Sequence, residues 1–247
     1  MIEIKNLQKS FSGNMAVDIP ELTISPDCII GLVGNNGAGK TTLFRLMTDL
    51  IKASQGSVHI DGIQVDKSED WKMRTGAFID TGFLIDFLTA EEYFTFVGRS
   101  YSMGKEQINE RLEAFHQLMN GEILQQKKYI RDYSAGNKQK IGIIAAMLHE
   151  PSLLILDEPF NFLDPTSQNV MRHLLREYQS RTGATIIVSS HNLSHTIDIS
   201  DRVLLLEKGH LIKDLDNTGM KAKDELEAYF EAPYERLSDE KPQEVQS

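Results

Sequence analysis

The stretch Cys28-Ile29-Ile30-Gly31-Leu32-Val33-Gly34-Asn35-Asn36-Gly37-Ala38-Gly39-Lys40-Thr41-Thr42 reads as a buried strand, a glycine-rich turn and the start of a helix. Gly34 to Thr41 satisfies G-x-x-x-x-G-K-[ST], and the strand before it and the helix predicted over residues 41–50 supply the context that this pattern requires. Each residue type has a physical reason. Glycines let the backbone curl until successive N–H groups point inward, and the helix N-terminus adds its dipole, so the turn makes a cradle for phosphate oxygens. Lys40 is placed to reach the β- and γ-phosphates of a nucleotide, and the Thr41 hydroxyl to ligate Mg²⁺. Gly34, Asn35, Asn36, Gly37, Ala38, Gly39, Lys40, Thr41 and Thr42 are therefore the candidate nucleotide-binding residues. A plain structural turn is the alternative.

Working outward, Leu153-Leu154-Ile155-Leu156 is a second buried strand, and it delivers Asp157 and Glu158 to its carboxyl end. Thr185-Ile186-Ile187-Val188 is a third, with His191 just beyond it. Open α/β sheets bind ligands at that edge, so Gly34, Asp157 and His191 are expected to converge there. Asp157 suits the Mg²⁺ shell, and Glu158 suits a general base that polarises water. His191 suits a hydrogen bond to the γ-phosphate. A helix cap is the plainer reading of the Asp-Glu pair. His191 and His195 stand four apart, but no third ligand pattern accompanies them, and zinc is set aside. The guanine-reading N-K-x-D is missing, because Asn137-Lys138-Gln139-Lys140 has Lys in its last place; GTP specificity is not expected.

Short apolar runs alternating with helical periodicity imply an α/β fold on a mostly parallel sheet. A helix is expected after Pro165, with Val170, Leu174 and Tyr178 apolar and Gly183 as its stop. Residues 85–149 read as wholly helical, with capping-box spacing at Thr89 to Glu92 and a repeat of Ile108, Leu112, Phe115 and Met119. Val203 to Leu206, Lys208-Gly209 and Leu211-Ile212 read as a hairpin.

The 247 residues carry 26 basic and 36 acidic side chains, a formal charge of −10. That balance argues against a nucleic-acid surface, which needs clustered positive charge. The last 34 residues hold ten acids and four bases, and read as a solvated, partly disordered tail. Cys28 is the one cysteine, so no intramolecular disulfide forms and a reducing compartment is expected. The first residues lack the layout of a signal peptide, and no apolar run approaches the roughly 18 residues of a membrane helix.

Tyr133-Ser134-Ala135-Gly136-Asn137-Lys138-Gln139-Lys140, some 20 residues before the carboxylate strand, resembles the Leu-Ser-Gly-Gly-Gln signature of ATP-binding cassette (ABC) ATPases. Phosphate loop, signature, Asp-Glu strand, a D-loop at Phe160-Asn161-Phe162-Leu163-Asp164 and the switch His191 follow in that family's order. The resemblance spans about residues 1–215. It implies a phosphate-loop NTPase (RecA-like) core, an ABC-type antiparallel β part and an all-helical insert at about 85–149, followed by an acidic C-terminal extension, 216–247.

By that resemblance Phe11 takes the place of the aromatic that stacks on adenine. Ser134 and Gly136 would meet the γ-phosphate held by a second subunit, in a homodimer or cassette heterodimer with ATP at the interface. Ala135 and Asn137 depart from the signature. Residues 71–100 contain no Gln, so Asp80 stands at the Gln-loop position, where a carboxylate can still hold a Mg²⁺-bound water.

ATP and Mg²⁺ are the implied cofactors. A separate transmembrane permease subunit is the implied partner, met at the cytoplasmic face of the inner (cell) membrane. Leu88-Thr89-Ala90-Glu91-Glu92-Tyr93 and the signature resemble bacterial ABC-2-type exporters, and Phe83, Phe87, Tyr93, Phe94 and Phe96 include candidates for docking. A non-transport ABC ATPase of translation or repair type, and a binder that does not hydrolyse, are the other readings. Glu158 argues against the last, since that carboxylate is dispensable for binding alone.

Overall fold

Apolar runs such as Ile29 to Val33 and Leu153 to Leu156 are too continuous for a sheet with one wet face, and they form strands buried along their whole length. The computed structural model describes residues 1–239. The chain runs β1 (Ile2–Phe11), β2 (Asn14–Ile24), β3 (Ile29–Val33), α1 (Lys40–Met47), β4 (Gln55–Ile60), β5 (Ile63–Gln64) and β6 (Thr75–Phe78). Helices α2 (Ala90–Ser100), α3 (Lys105–Glu113), α4 (His116–Met119) and α5 (Ala135–Met147) come next. Then follow β7 (Leu153–Leu156), α6 (Pro165–Thr182), β8 (Thr185–Ser190), α7 (Leu193–Ile197), β9 (Arg202–Glu207), β10 (His210–Asp216) and α8 (Ala222–Asp239).

Six strands form one sheet in the order β10-β9-β3-β8-β7-β6, parallel except for the β9–β10 hairpin. Four more form a separate antiparallel sheet, β2-β1-β4-β5. This is the fold expected from the sequence. Alternate residues of each central strand enter different cores. Leu154, Leu156, Ile186 and Val188 join a core with α5 and α6, whereas Leu153, Ile155, Ile187, Ile30 and Leu32 join the core around Phe44 of α1 and the antiparallel sheet.

The helix after Pro165 forms, capped by Asp164, whose carboxylate accepts from the Ser167 N–H at 2.9 Å, and stopped by Gly183 at φ +66°. Its inward face differs from expectation. Met171, Leu175 and Tyr178 are buried, while Val170 and Leu174 lie at the margin of the core. The capping box of α2 also forms, with Glu92 N–H donating to Thr89 Oγ1 (3.2 Å) and Thr89 N–H to Glu92 Oε2 (2.8 Å).

Residues 85–149 are not wholly helical. The repeat from Ile108 to Met119 is buried as expected, but it divides between α3 and α4. Residues 120–134 carry no α-helix and pair back onto the segment before α2, where the Ile130 N–H donates to Leu88 O and the Arg131 N–H to Asp86 O. Helix α5 packs on the parallel sheet through two glycines. A Cβ on Gly142 would lie 2.1 Å from the Phe78 ring, and one on Gly76 would lie 2.0 Å from the Ala146 carbonyl oxygen.

The acidic tail also begins differently from expectation. Residues 222–239 form α8, which buries Ala222 and Leu226 against Val33, Ile197, Val203 and Leu205. A few apolar residues on one face outweigh its charge. Residues 240–247 lie outside the described part. Among the described residues no helix is long and apolar enough to cross a membrane.

His149, just after α5, stacks on Tyr101 with ring centroids 3.6 Å apart and planes 4° from parallel. Both ring nitrogens are buried, and among the described residues neither reaches a hydrogen-bond partner. Burial pushes its pKa down to about 4, with the nearby Thr75 backbone acting weakly in the other direction. The folded chain therefore refuses a proton that the unfolded chain accepts below about pH 6.5, and stability is lost as pH falls from there toward 4. His149→Phe keeps the stack and removes the proton. Urea unfolding at pH 7 and pH 5 should show the variant losing about 2 kcal/mol less than the parent on acidification; equal losses would place the acid sensitivity elsewhere.

Candidate active site

Because β8 lies between β3 and β7 and all three run parallel, their carboxyl ends sit side by side. Gly34 follows β3, Asp157 and Glu158 follow β7, and His191 follows β8. The structure thus brings the expected residues to one edge of one sheet.

The turn from Gly34 to Lys40 is shaped by crowding on its outer side. Gly37 and Gly39 adopt φ of +81° and +107°, a region that side chains disfavour. A Cβ on Gly34 would lie 2.3 Å from Leu206 O, and one on Gly39 would lie 2.4 Å from Ala16 O. Behind the turn, Gly209 N–H donates to Ala38 O (2.8 Å) and Gly209 O accepts from Asp18 N–H (2.8 Å), so the β9–β10 hairpin ties the loop to β2. Gly37 faces open space. Asn35, Asn36 and Gly37 are exposed and Ala38 is buried, with α1 starting at Lys40 and Thr41 and Thr42 in its first turn.

Lys40 is 6% exposed. Its ammonium donates to Gly34 O at 2.6 Å and pairs with Glu158 Oε1 at 3.3 Å. The other carboxylate oxygen of Glu158 lies 2.8 Å from His191 Nδ1 and accepts from the His191 N–H at 3.3 Å. Glu158 therefore bridges the lysine and the histidine. Asp157 is buried beside it, with Oδ2 accepting from Thr41 Oγ1 and Oδ1 from Ser189 Oγ, both at 2.5 Å. Burial raises the Asp157 pKa; the two hydroxyls and Lys40 oppose the shift, and the Glu158 charge adds to it.

Thr41 Oγ1 and Asp157 Oδ2 form a convergent pair of hard oxygens, the kind of donors Mg²⁺ takes while leaving other positions to phosphate and water. The residues present fit that ion. A glycine-shaped turn, a helix N-terminus, one buried cation and two carboxylates make the electrostatic environment of a phosphoryl-transfer site.

Asp80 stands apart from that pair. Its carboxylate contacts Arg45 of α1 at 3.3 Å and accepts from the Gly82 N–H at 2.6 Å, capping a short 3₁₀ turn. Phe11, at the tip of the β1–β2 hairpin, is half exposed, with the Lys9 ammonium 5.0 Å from its ring centre. Ser134 caps α5 by accepting from the Asn137 N–H (3.2 Å), and its own O–H finds no acceptor among the described residues. Among the described residues no hydrogen bond joins Ser134 or Gly136 to residues 34–42; Gly136 instead abuts the D-loop, where a Cβ would lie 2.5 Å from Phe162 O.

Sequence reasoning missed Ser189, Gln139, Arg45 and Gly209. Ser189-Ser190, polar residues ending an apolar strand, carried a usable signal. The others act through contacts distant in sequence.

The ABC transporter family matches residues 17–161, more than half of the chain. The chain belongs to the ABC transporter family, as an ATP-binding subunit. It is similar to the ABC transporter ATP-binding protein YhcH of Bacillus subtilis (strain 168), with 34% identity over 232 residues, 93% of this chain and 74% of that protein. The bacitracin transport ATP-binding protein BcrA of Enterococcus faecalis is 34% identical over 218 residues, 87% of this chain and 69% of that one. Among solved structures, an ATP binding subunit of an ABC transporter aligns with a TM-score of 0.80 at 25% identity, covering 92% of this chain and 94% of that one. The cassette MJ0796, in a dimeric post-hydrolysis state bound to ADP and Pi, shares the fold with a TM-score of 0.76 at 23% identity, covering 87% and 98%.

In this cassette the Arg45 pair draws off part of the Asp80 charge, and we propose that the remainder acts on a metal ion beside the triphosphate. Asp80→Gln is expected to make ATP binding depend less steeply on Mg²⁺ concentration, measured by titrating a fluorescent ATP analogue. A curve that overlays the parent's would remove Asp80 from the surroundings of the metal.

Proposed function

We propose that this chain is the ATP-hydrolysing subunit of an exporter, and that it drives a separate membrane subunit by ATP-dependent closure of a head-to-tail cassette dimer. The observation that carries the reading is the Glu158 carboxylate held between Lys40 and His191 next to the Thr41–Asp157 pair. Binding ATP alone does not require a carboxylate in that place.

The loop N–H groups and Lys40 hold the β- and γ-phosphates, and Phe11 lies against the base. Thr41 and Asp157 hold Mg²⁺, which when bound supplies positive charge to the phosphate oxygens. Asp80 would hold a water of that ion. Glu158 orients the attacking water and takes its proton, a role worth about 10²–10⁴ in rate. His191 fixes the Glu158 carboxylate through Nδ1 and offers its other edge to the γ-phosphate. Ser134, exposed, and Gly136, half-buried beside it at the start of α5, donate to the γ-phosphate held by the opposite cassette. Closure follows ATP binding and opening follows hydrolysis.

A membrane subunit needs a place to push. The groove of about 400 Å³ between the end of α1, the Asp80 loop and α2 is lined by Leu50, Trp71, Ile79, Tyr93 and Tyr101. Phe83, on its rim, is 56% exposed and nearby Phe87 is 64% exposed, more than core packing would leave. Phe96 is exposed too, whereas Phe94 is fully buried and Tyr93 partly so. This groove suits a cytoplasmic helix of the permease, and in this reading the cassette works at the inner face of the cell membrane. The direction of transport rests on the likeness of Leu88 to Tyr93 and of the signature to ABC-2-type exporters.

Two substitutions separate binding from chemistry. Glu158→Gln is expected to lower ATPase kcat at least about a hundredfold while keeping ATP affinity and favouring an ATP-bound dimer, whereas Lys40→Ala loses affinity itself, by about tenfold or more. Persistent turnover in Glu158→Gln would remove the general-base role. Transport has its own test. An N-terminally tagged chain, recovered from membranes solubilised in mild detergent, should bring down a multi-span membrane protein in stoichiometric amount. A tagged chain that hydrolyses ATP yet stays in the soluble fraction would count against the transporter reading.

A further inference from the structure

Helix α5 is apolar along its inner length, with Ile141, Ile143, Ile144 and Met147 buried, yet Gln139 is also buried, at 4% exposure. A buried amide is costly without a partner. Gln139 has one outside its own helix: its Nε2 donates to the backbone carbonyl of Glu158 at 2.9 Å. The same carbonyl accepts from the Asn161 N–H at 3.1 Å, and the Glu158 N–H donates to Ser189 Oγ at 2.8 Å. Both ends of this residue's backbone are therefore held by side chains from other elements.

The backbone of Glu158 requires that restraint. Its φ is +47°, in the left-handed region that a non-glycine residue occupies at a cost and keeps only where the surroundings impose it. Without Gln139 the carbonyl keeps only the Asn161 N–H, a contact within its own turn, and the strained residue loses the restraint that ties it to α5, so its carboxylate can shift out of the bridge between Lys40 and His191. A misplacement near 1 Å at a reacting group costs on the order of a hundredfold in rate.

We propose that Gln139 is a positioning residue for Glu158. It stands close behind Ser134 and Gly136 on α5, and Gly136 abuts the loop that leaves Glu158, at Phe162 O. The helix that begins at the signature thus grips the catalytic turn at two points, Glu158 and Phe162. The inference rests on the reading of Glu158 as the base.

The test compares Gln139→Met, which keeps the unbranched stem but has no N–H to donate, with Glu158→Gln, both measured as full-length chains. For Gln139→Met, kcat for ATP is expected to fall about ten- to a hundredfold, with KM within about twofold of the parent and an unchanged melting temperature. Gln139→Asn, whose amide is one methylene short, should show the same split more mildly. An unchanged kcat in a folded, ATP-binding variant overturns the proposal. A joint loss of kcat, KM and melting temperature, or failure of both Gln139 variants to fold, also overturns it, by making Gln139 merely structural. If Glu158→Gln is inactive while Gln139→Met is normal, only the positioning role falls. If Glu158→Gln turns over normally, the base reading itself falls.

Discussion

A lysine ammonium shut away from water must be answered by oxygen, and the site is organised around that demand. Lys40 is answered by the Gly34 carbonyl and the Glu158 carboxylate. Glu158 in turn is answered by His191, and Asp157 by the hydroxyls of Thr41 and Ser189. These groups come from the ends of three strands and the start of α1, so the charges balance only if β3, β7 and β8 are neighbours in parallel register. The sheet order is what makes a buried cation tolerable there.

Much of this was legible in the amino-acid order for a simple reason. Parallel strands covered on both faces are continuous apolar runs, and each run here ends in a residue type with little other reason to follow it: glycine, paired acids, histidine. The phosphate loop was legible because its glycines have little freedom to vary: Gly34 and Gly39 meet Leu206 O and Ala16 O at distances that admit no side chain, and Gly37 has a positive φ. The break-up of residues 85–149 was not legible. The stretch 120–134 is held by backbone pairing to residues near 86–89, which leaves no periodic trace.

The tail and the Asp80 loop show a second limit. Composition averages over a segment, and α8 is acidic on average while burying Ala222 and Leu226 on one side. Asp80 reads as a bare carboxylate in sequence, whereas Arg45 of α1 stands beside it in space. Gln139 is similar: its neighbours in sequence gave it no task, and its partner lies 19 residues on, beyond the end of β7. Polar side chains whose partners are remote in the chain are the part of a site that pattern reading misses.

The Gly209 contact also bears on biosynthesis. The phosphate loop leaves the ribosome early, yet two of the elements that back it come much later: β8, which separates β3 from β7, and the β9–β10 turn that holds Ala38 O and Asp18 N–H. A nascent chain carrying the loop but not yet residue 209 lacks that clamp. The loop's full backing therefore forms only after residues 185–209 have been made, well after the loop itself.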